Sequence, residues 1–248
     1  MTSDIRGRGR GQAGVTAEPG SQAALDYYLI TPAAGTDGAP AEGIVVEEFT
    51  LTEDFRTVGL DTAGWTAADG DWWSSAAFGR ALREDPGLRT RVLAVSRPEA
   101  EATYRDLRGG ELPGETRLRA LFHDHQPLPA SPPLRLNPPR VPDGFHDTRV
   151  YRVLFAGEPH LSRLADVVTL AVEAEDPQIR VVGTGELRTA LDVFTWDVRR
   201  IGPGTACSVD LTAHLGTTSD EPLGPLLRRL TTAMRHAGAV PVTVERFS

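Results

Sequence analysis

The chain predicts an α+β fold: mostly antiparallel sheet with helices on one face, in two α+β units joined by a proline-rich segment. Three observations carry that expectation. The second half alternates apolar and polar residues on both sides of Gly202-Pro203-Gly204, and strands joined by a tight turn must pair antiparallel. Helical-period stretches interrupt the strand-period ones without a regular β-α-β-α alternation, which favours α+β over a parallel α/β sheet. Seven prolines fall between Gln126 and Pro142, a density that excludes helix and central strand. The expected divisions are therefore a disordered tail over 1–21, an N-terminal α+β unit over 22–125, a linker or crossover over 126–148 and a C-terminal α+β unit over 149–248.

Residues 1–21 hold Gly, Ser, Ala and Arg with almost no apolar content, so ordering them has little to offset its entropy cost. Leu25 to Ile30, Ile44 to Leu51 and Phe55 to Leu60 read as strands. Ser74 is a candidate cap for a helix carrying Ala77, Phe78, Ala81 and Leu82. Arg91 to Val95 is a short strand. Ser96-Arg97-Pro98-Glu99 matches a capping box that opens a helix through Leu107 and closes at Gly109-Gly110. Thr116 to Phe122 suits a strand or a helical turn.

The C-terminal unit reads β-α-β-β-β-α-β. Val150 to Ala156 places Tyr151, Val153 and Phe155 on one strand face. Leu161, Leu164, Val168 and Val172 recur at helical spacing. Gln178 to Val182, Leu191 to Arg200 and Thr205 to Leu215 are strands, the last two a hairpin. Ser219 or Asp220 is placed to cap a helix with Pro222 in its first turn and Leu223, Leu226, Leu227, Leu230 and Met234 as its buried stripe. Val240, Val242 and Val244 form the closing strand.

Composition excludes more chemistry than the motifs support. All 26 basic residues are arginine, because no lysine is present. A pyridoxal-phosphate Schiff base and a lysine-bearing P-loop nucleotide site are therefore not expected. A GC-rich coding bias accounts for this and for the single asparagine, Asn137. The net charge of −8 disfavours nucleic acid and anionic membrane as partners. The N-terminus lacks an apolar signal region and no run is long enough for a membrane span. With the lone Cys207, these features suggest a cytoplasmic protein.

Five constellations bear on function. His123, His125 and His146, with Asp124 and Asp147 beside them, are metal-ligand types at the two ends of the proline segment, where such residues are also common turn formers. Strand parity puts Ser208, Asp210, Thr212 and His214 on one face, which Asp197 and Arg199 extend from the neighbouring strand; Asp210 and His214 are the candidate catalytic groups. The same parity puts Cys207 with Val209, Leu211 and Ala213, so the thiol is expected in the core. Trp65, Trp72 and Trp73 lie within nine residues and either form a partner-binding surface or fill the core beneath an irregular loop. Arg199 to Gly204 fits a loose Arg-x-x-Gly-x-Gly pyrophosphate-loop pattern, but strand alternation follows where a helix is needed, so it reads as a hairpin turn.

The first functional reading is a non-catalytic accessory protein that binds a protein partner through Trp65, Trp72 and Trp73. The alternative is a small-molecule enzyme with a pocket between the two halves, metal-dependent through His123, His125 and His146. RNA binding through Arg6, Arg8 and Arg10 is a third and weaker reading.

Overall fold

A computed structural model describes residues 24–32, 40–108, 110–129, 139–172, 174–202 and 204–247. The expected tail and the centre of the proline segment lie outside these residues. The architecture is α+β, with two sheets whose strand pairs among the described residues are all antiparallel.

The first sheet contains β1 (Asp26–Ile30), β2 (Gly43–Leu51), β3 (Thr57–Thr66), β4 (Trp72–Ser74) and β5 (Val92–Val95), in the order β4-β3-β2-β1-β5. The third strand runs six residues beyond the expected Leu60, so Trp65 lies on β3 opposite Trp72 on β4. A hairpin, with Gly70 at φ 73°, thus replaces the irregular loop expected there. At the start of the expected linker or crossover, β6 (His125–Pro127) pairs along the outer edge of β3. Proline is tolerated there because an edge strand needs no ladder donor on its outer side.

Helices cover both faces of this sheet, not one. Leu25, Tyr27, Ile44, Val46, Ala63 and Trp65 pack against α3 (Arg97–Arg108) and α4 (Glu115–Arg119), through Ala100, Tyr104 and Leu118. The expected capping box forms at α3: the Ser96 backbone N–H donates to Glu99 Oε2 at 2.7 Å. The opposite face meets α1 (Ala76–Glu84). Its cap is Ser75, whose hydroxyl accepts from Phe78 N at 3.1 Å. Ser74 Oγ instead accepts from the backbone N–H of His123 and Asp124. A four-residue α2 (Pro86–Arg89) leads to β5.

The second sheet contains β7 (Asp147–Ala156), β8 (Thr169–Leu170), β9 (Val181–Arg188), β10 (Val193–Gly202), β11 (Ala206–Leu215) and β12 (Val240–Arg246), in the order β12-β7-β11-β10-β9-β8. The helix expected over Leu161 to Val172 does not form. A single 3-10 turn, Leu161–Arg163, is followed by turns and β8. Leu161, Leu164 and Val168 are buried as their spacing implies, but the backbone bonds outward. Val167 O accepts from Trp196 Nε1 at 3.0 Å and Ala171 N donates to Val182 O at 2.9 Å. Successive turns bury the same i, i+3, i+7 positions, so the periodicity did not discriminate.

Helix α5 (Leu223–His236) is the element both sheets share. Leu223, Leu226, Leu227, Leu230 and Met234 pack on the inner face of the second sheet with Tyr151, Phe155, Phe194 and Leu211, each such burial contributing about 1.5–3 kcal/mol. Neither Ser219 nor Asp220 caps it by a side-chain bond: the N-cap position is Pro222, and the Asp220 carboxylate pairs with Arg149 at 2.7 Å. From the same helix Arg235 reaches into the first sheet. Two further bonds join the halves at the edge strand β12: Val244 N donates to Thr57 Oγ1 at 2.9 Å and Arg83 Nε donates to Pro241 O at 2.8 Å.

Candidate functional site

An apolar concave feature lies where the halves meet. A groove of about 390 Å3 runs between β1 and β2 of the first sheet and α5 and β12 of the second. Phe49, Leu51, Phe55, Pro225, Leu227, Pro241 and Val244 form most of its wall, and Leu51 is 46% exposed. A mainly apolar concavity of this size is within the usual range for binding sites.

Phe55 is built in with strain. It is the only described non-glycine residue with positive φ, at 64°, a conformation that costs a bulky residue about 1–3 kcal/mol. The turn around it supplies the constraint. Thr52 N donates to Arg56 O at 2.8 Å, Phe55 N donates to Thr52 O at 3.0 Å, and Arg56 Nε donates to both Asp54 oxygens at 3.0 Å. The result sends the ring across to α5. Gly224 makes room for it, since a Cβ there would stand 2.8 Å from the Phe55 ring. Phe55 packs on the second sheet's core although it precedes β3 of the first.

One end of the groove is ionic. Asp26 Oδ1 accepts from Arg235 Nη1 at 2.8 Å and is paired with Arg228 Nη2 at 2.9 Å. Arg235 also donates to Tyr28 Oη and to Tyr27 O, both at 3.0 Å. Behind it, Arg83 makes a two-pronged pair with Glu47 at 3.0 and 2.9 Å, and Thr62 Oγ1 donates to Glu47 at 3.1 Å. The Glu47 and Arg83 side chains are 0% and 7% exposed. Burial raises the Tyr28 phenol to about 12, with nearby Arg235 opposing the shift. Buried ions in this arrangement hold one another fixed, because loss of either partner strands a charge away from water.

The sequence missed this network, although strand parity carried its signal. Asp26 shares a face with Tyr28 and Ile30, Glu47 shares one with Val45, and Arg235 directly follows Met234 in the apolar stripe. A charged residue at an inward position needs a partner, and here Asp26 has Arg235 while Glu47 has Arg83.

The expected site residues are placed as follows. Trp65 is 1% exposed and meets Tyr104 edge-on at 4.8 Å between centroids, so it offers no surface to a partner. Trp73 meets Phe78 at a tilt of 54°, 5.1 Å between centroids, and Trp72 lies 6.1 Å from Tyr104; both are half-buried, and of the three only Trp72 lines a surface cleft. His125 Nδ1 pairs with Asp61 Oδ1 at 3.0 Å on the first sheet. His123 is held through its backbone by Ser74, and His146 N donates to Leu215 O at the end of the second sheet. Among the described residues no group of three or more His, Cys, Asp or Glu is placed to hold a metal ion.

Asp210 and His214 share a face of β11 but do not meet, being four residues or roughly 13 Å apart along the strand. Asp210 is engaged by Arg152 through two bonds of 2.7 Å. His214 Nδ1 bonds Thr148 Oγ1 at 2.9 Å. Cys207 is buried as its parity implies, and burial pushes its thiol up to about 12, far from a nucleophile's range. The Arg199 to Gly202 segment ends β10 and returns as β11, without the helix a pyrophosphate loop requires.

No family model, curated protein or solved structure matches this chain. No helix among the described residues is long and apolar enough to cross a membrane.

Proposed function

We propose that this chain is a non-catalytic accessory protein of a cytoplasmic system, and that it grips an apolar anchor of a protein partner in the groove between its two sheets. The contact surface is the Phe49, Leu51, Phe55 and Val244 wall in place of the tryptophan segment. One observation carries the reading: the groove is open and apolar, while the ionisable residues in its wall are Asp26, Glu48 and Arg228. Asp26 is committed to two guanidinium groups and Glu48 to Arg119 at 2.9 Å. No acid and base face each other there with a free proton position, which is what general acid–base chemistry requires. Apolar pockets that exclude water are where partner anchors gain most of their affinity.

The small-molecule alternative keeps one supporting observation, the position and volume of the groove between the halves. A photo-crosslinking residue in place of Leu51, introduced in the producing cell, separates the two. Attachment of one defined protein, lost when Thr231→Trp fills the groove, supports the accessory reading. A bound species below about 1 kDa in the native mass spectrum, displaced by Thr231→Trp, supports the small-molecule reading. Neither product, with Thr231→Trp unchanged in thermal stability, removes the groove as a functional site.

A further inference from the structure

The outer face of the second sheet carries a second site of different chemistry. A cleft of about 470 Å3 opens over β7, β10 and β11 and the turn that precedes β9. Arg152, Arg180, Arg199 and Ser208 line it, with Ile201 on its rim. Register explains the convergence: Arg199 on β10 lies opposite Ser208 on β11, and Asp210, two residues along, lies opposite Arg152 on β7. Irregular pairing occurs at this point on both sides of β10, between Val198 and Arg199 against β9 and between Arg200 and Gly202 against β11. Such bulges re-aim side chains beside binding sites.

The guanidinium groups are positioned from behind and retain donors in front. Arg152 uses Nε and Nη2 on Asp210, both at 2.7 Å. Arg199 uses Nη2 on Asp197 at 2.5 Å and Nε faces Asp210 Oδ2 at 3.2 Å. The Arg180 side chain is exposed and makes no hydrogen bond or ion pair among the described residues. The strand leading from it is fixed: Arg200 N donates to Arg180 O at 2.7 Å, and the Arg200 side chain pins the preceding turn through Ile179 O at 3.1 Å. Four arginines and no carboxylate line the cleft. Asp210, Asp197 and Glu158 hold Arg152, Arg199 and Arg200 from outside its wall, and Glu245 lies opposite Arg152 on β12, which leaves Arg180 as the lining cation without a bonded acid among the described residues.

We propose that this cleft binds the phosphate monoester group of a small organic molecule. A phosphate monoester carries about −1.5 to −2 charges at neutral pH. Guanidinium groups match its oxygens in pairs, and pre-oriented arginines lose little freedom on binding it. Arg180 supplies a guanidinium group with no bonded acid among the described residues, and Ile201, 53% exposed, supplies an apolar contact for the organic part. The site is on the opposite face of the sheet from α5, and does not rest on the groove or on its reading.

Calorimetric titration of the full chain with phenyl phosphate and, separately, inorganic phosphate tests the proposal. Phenyl phosphate is expected to bind one per chain at or below the millimolar range. The exposed Arg180→Glu is expected to weaken it at least about tenfold. Arg105→Glu, the same charge change on exposed α3, is expected to leave it unaltered. Tighter binding of phenyl phosphate than of inorganic phosphate identifies an organic ester as the ligand; equal binding identifies the free ion as sufficient. No heat with either up to about 10 mM, or equal weakening by Arg105→Glu and Arg180→Glu, overturns the proposal.

Discussion

Asp26 and Arg235 stand 209 positions apart in the chain and 2.8 Å apart in space. Their side chains are each 3% exposed. The pair joins β1 of the first sheet to a helix whose apolar stripe belongs to the second, so it reports directly on whether the halves are docked. Asp26→Ala leaves Arg235 buried without its carboxylate and is expected to cost about 3–5 kcal/mol. The double variant Asp26→Leu, Arg235→Met replaces the ions by apolar groups and is expected to recover a large part of that loss. Urea unfolding curves of the three proteins decide it. A double variant no more stable than Asp26→Ala assigns the cost to packing and not to the stranded charge.

Phe55 offers a test that separates backbone strain from side-chain packing. Phe55→Ala removes the ring from α5 and keeps a Cβ at positive φ; Phe55→Gly removes the same ring and relieves the backbone. The glycine variant is therefore expected to be the more stable of the two, by about 1 kcal/mol. Both are expected to fall below the parent, since each empties the space beside Gly224. Equal midpoints for the two variants in chemical denaturation count against strain at this residue.

How much of this was legible beforehand depends on whether a feature is local. Strands β7, β10 and β11 announce themselves by alternation, β1 and β2 by short apolar runs, and the Ser96–Glu99 cap by four adjacent residues. Cys207 was placed in the core by parity alone. Tertiary partners decided the rest. Leu161, Leu164 and Val168 suit a helix until Trp196 and Val182 claim the backbone of that segment. Ser74 suits a cap until His123 and Asp124 claim its hydroxyl. A pocket between the halves was one expectation, but its residues were not legible, because the walls come from Phe49, Phe55, Leu227 and Val244, on elements that meet only after both halves are in place. The arginine cleft was half visible: the row of Ser208, Asp210 and Arg199 followed from strand period, whereas Arg180 entered through a turn.

Cys207 is expected to be chemically silent in the native protein. Its thiol is 2% exposed and burial raises it to about 12, so almost no thiolate is present near neutral pH. A disulfide-exchange reagent such as dithionitrobenzoate at pH 8 is expected to label less than one-tenth of the chain during the time that labels all of it in urea. Rapid native labelling contradicts the buried placement and reopens a nucleophilic role.

Alkaline pH is expected to weaken the docked state. Tyr27 and Tyr28 are both raised from 10.0 to about 12, burial being the largest cause for each. In the unfolded chain these phenols ionise near pH 10. Between pH 10 and 12 the folded state therefore binds more protons than the unfolded one, and stability falls as pH rises. Their contribution is complete below about pH 10 and is lost through pH 12. Urea midpoints are expected to be lower at pH 11 than at pH 9. Tyrosinate absorbance at pH 11 is expected to reach its full value only when urea is added. Complete ionisation of all tyrosines at pH 11 in the folded protein contradicts the burial of these two hydroxyls.

The placement of α5 sets the order in which a nascent chain can mature. The strand bearing Asp26 emerges from the ribosome more than 200 residues before the arginine that neutralises it. At ordinary translation rates of about 5–20 residues per second, that interval is on the order of ten seconds or longer. Throughout it, the Asp26 carboxylate lacks its partners on α5, whereas Glu47 has Arg83 of α1 within 36 residues. The interim species keeps the Asp26 charge hydrated, which makes it more soluble and less committed than an apolar face would be. Synthesis interrupted before residue 223 would leave a first sheet permanently missing its counter-ion, and such fragments should be cleared by cellular proteases faster than the intact protein.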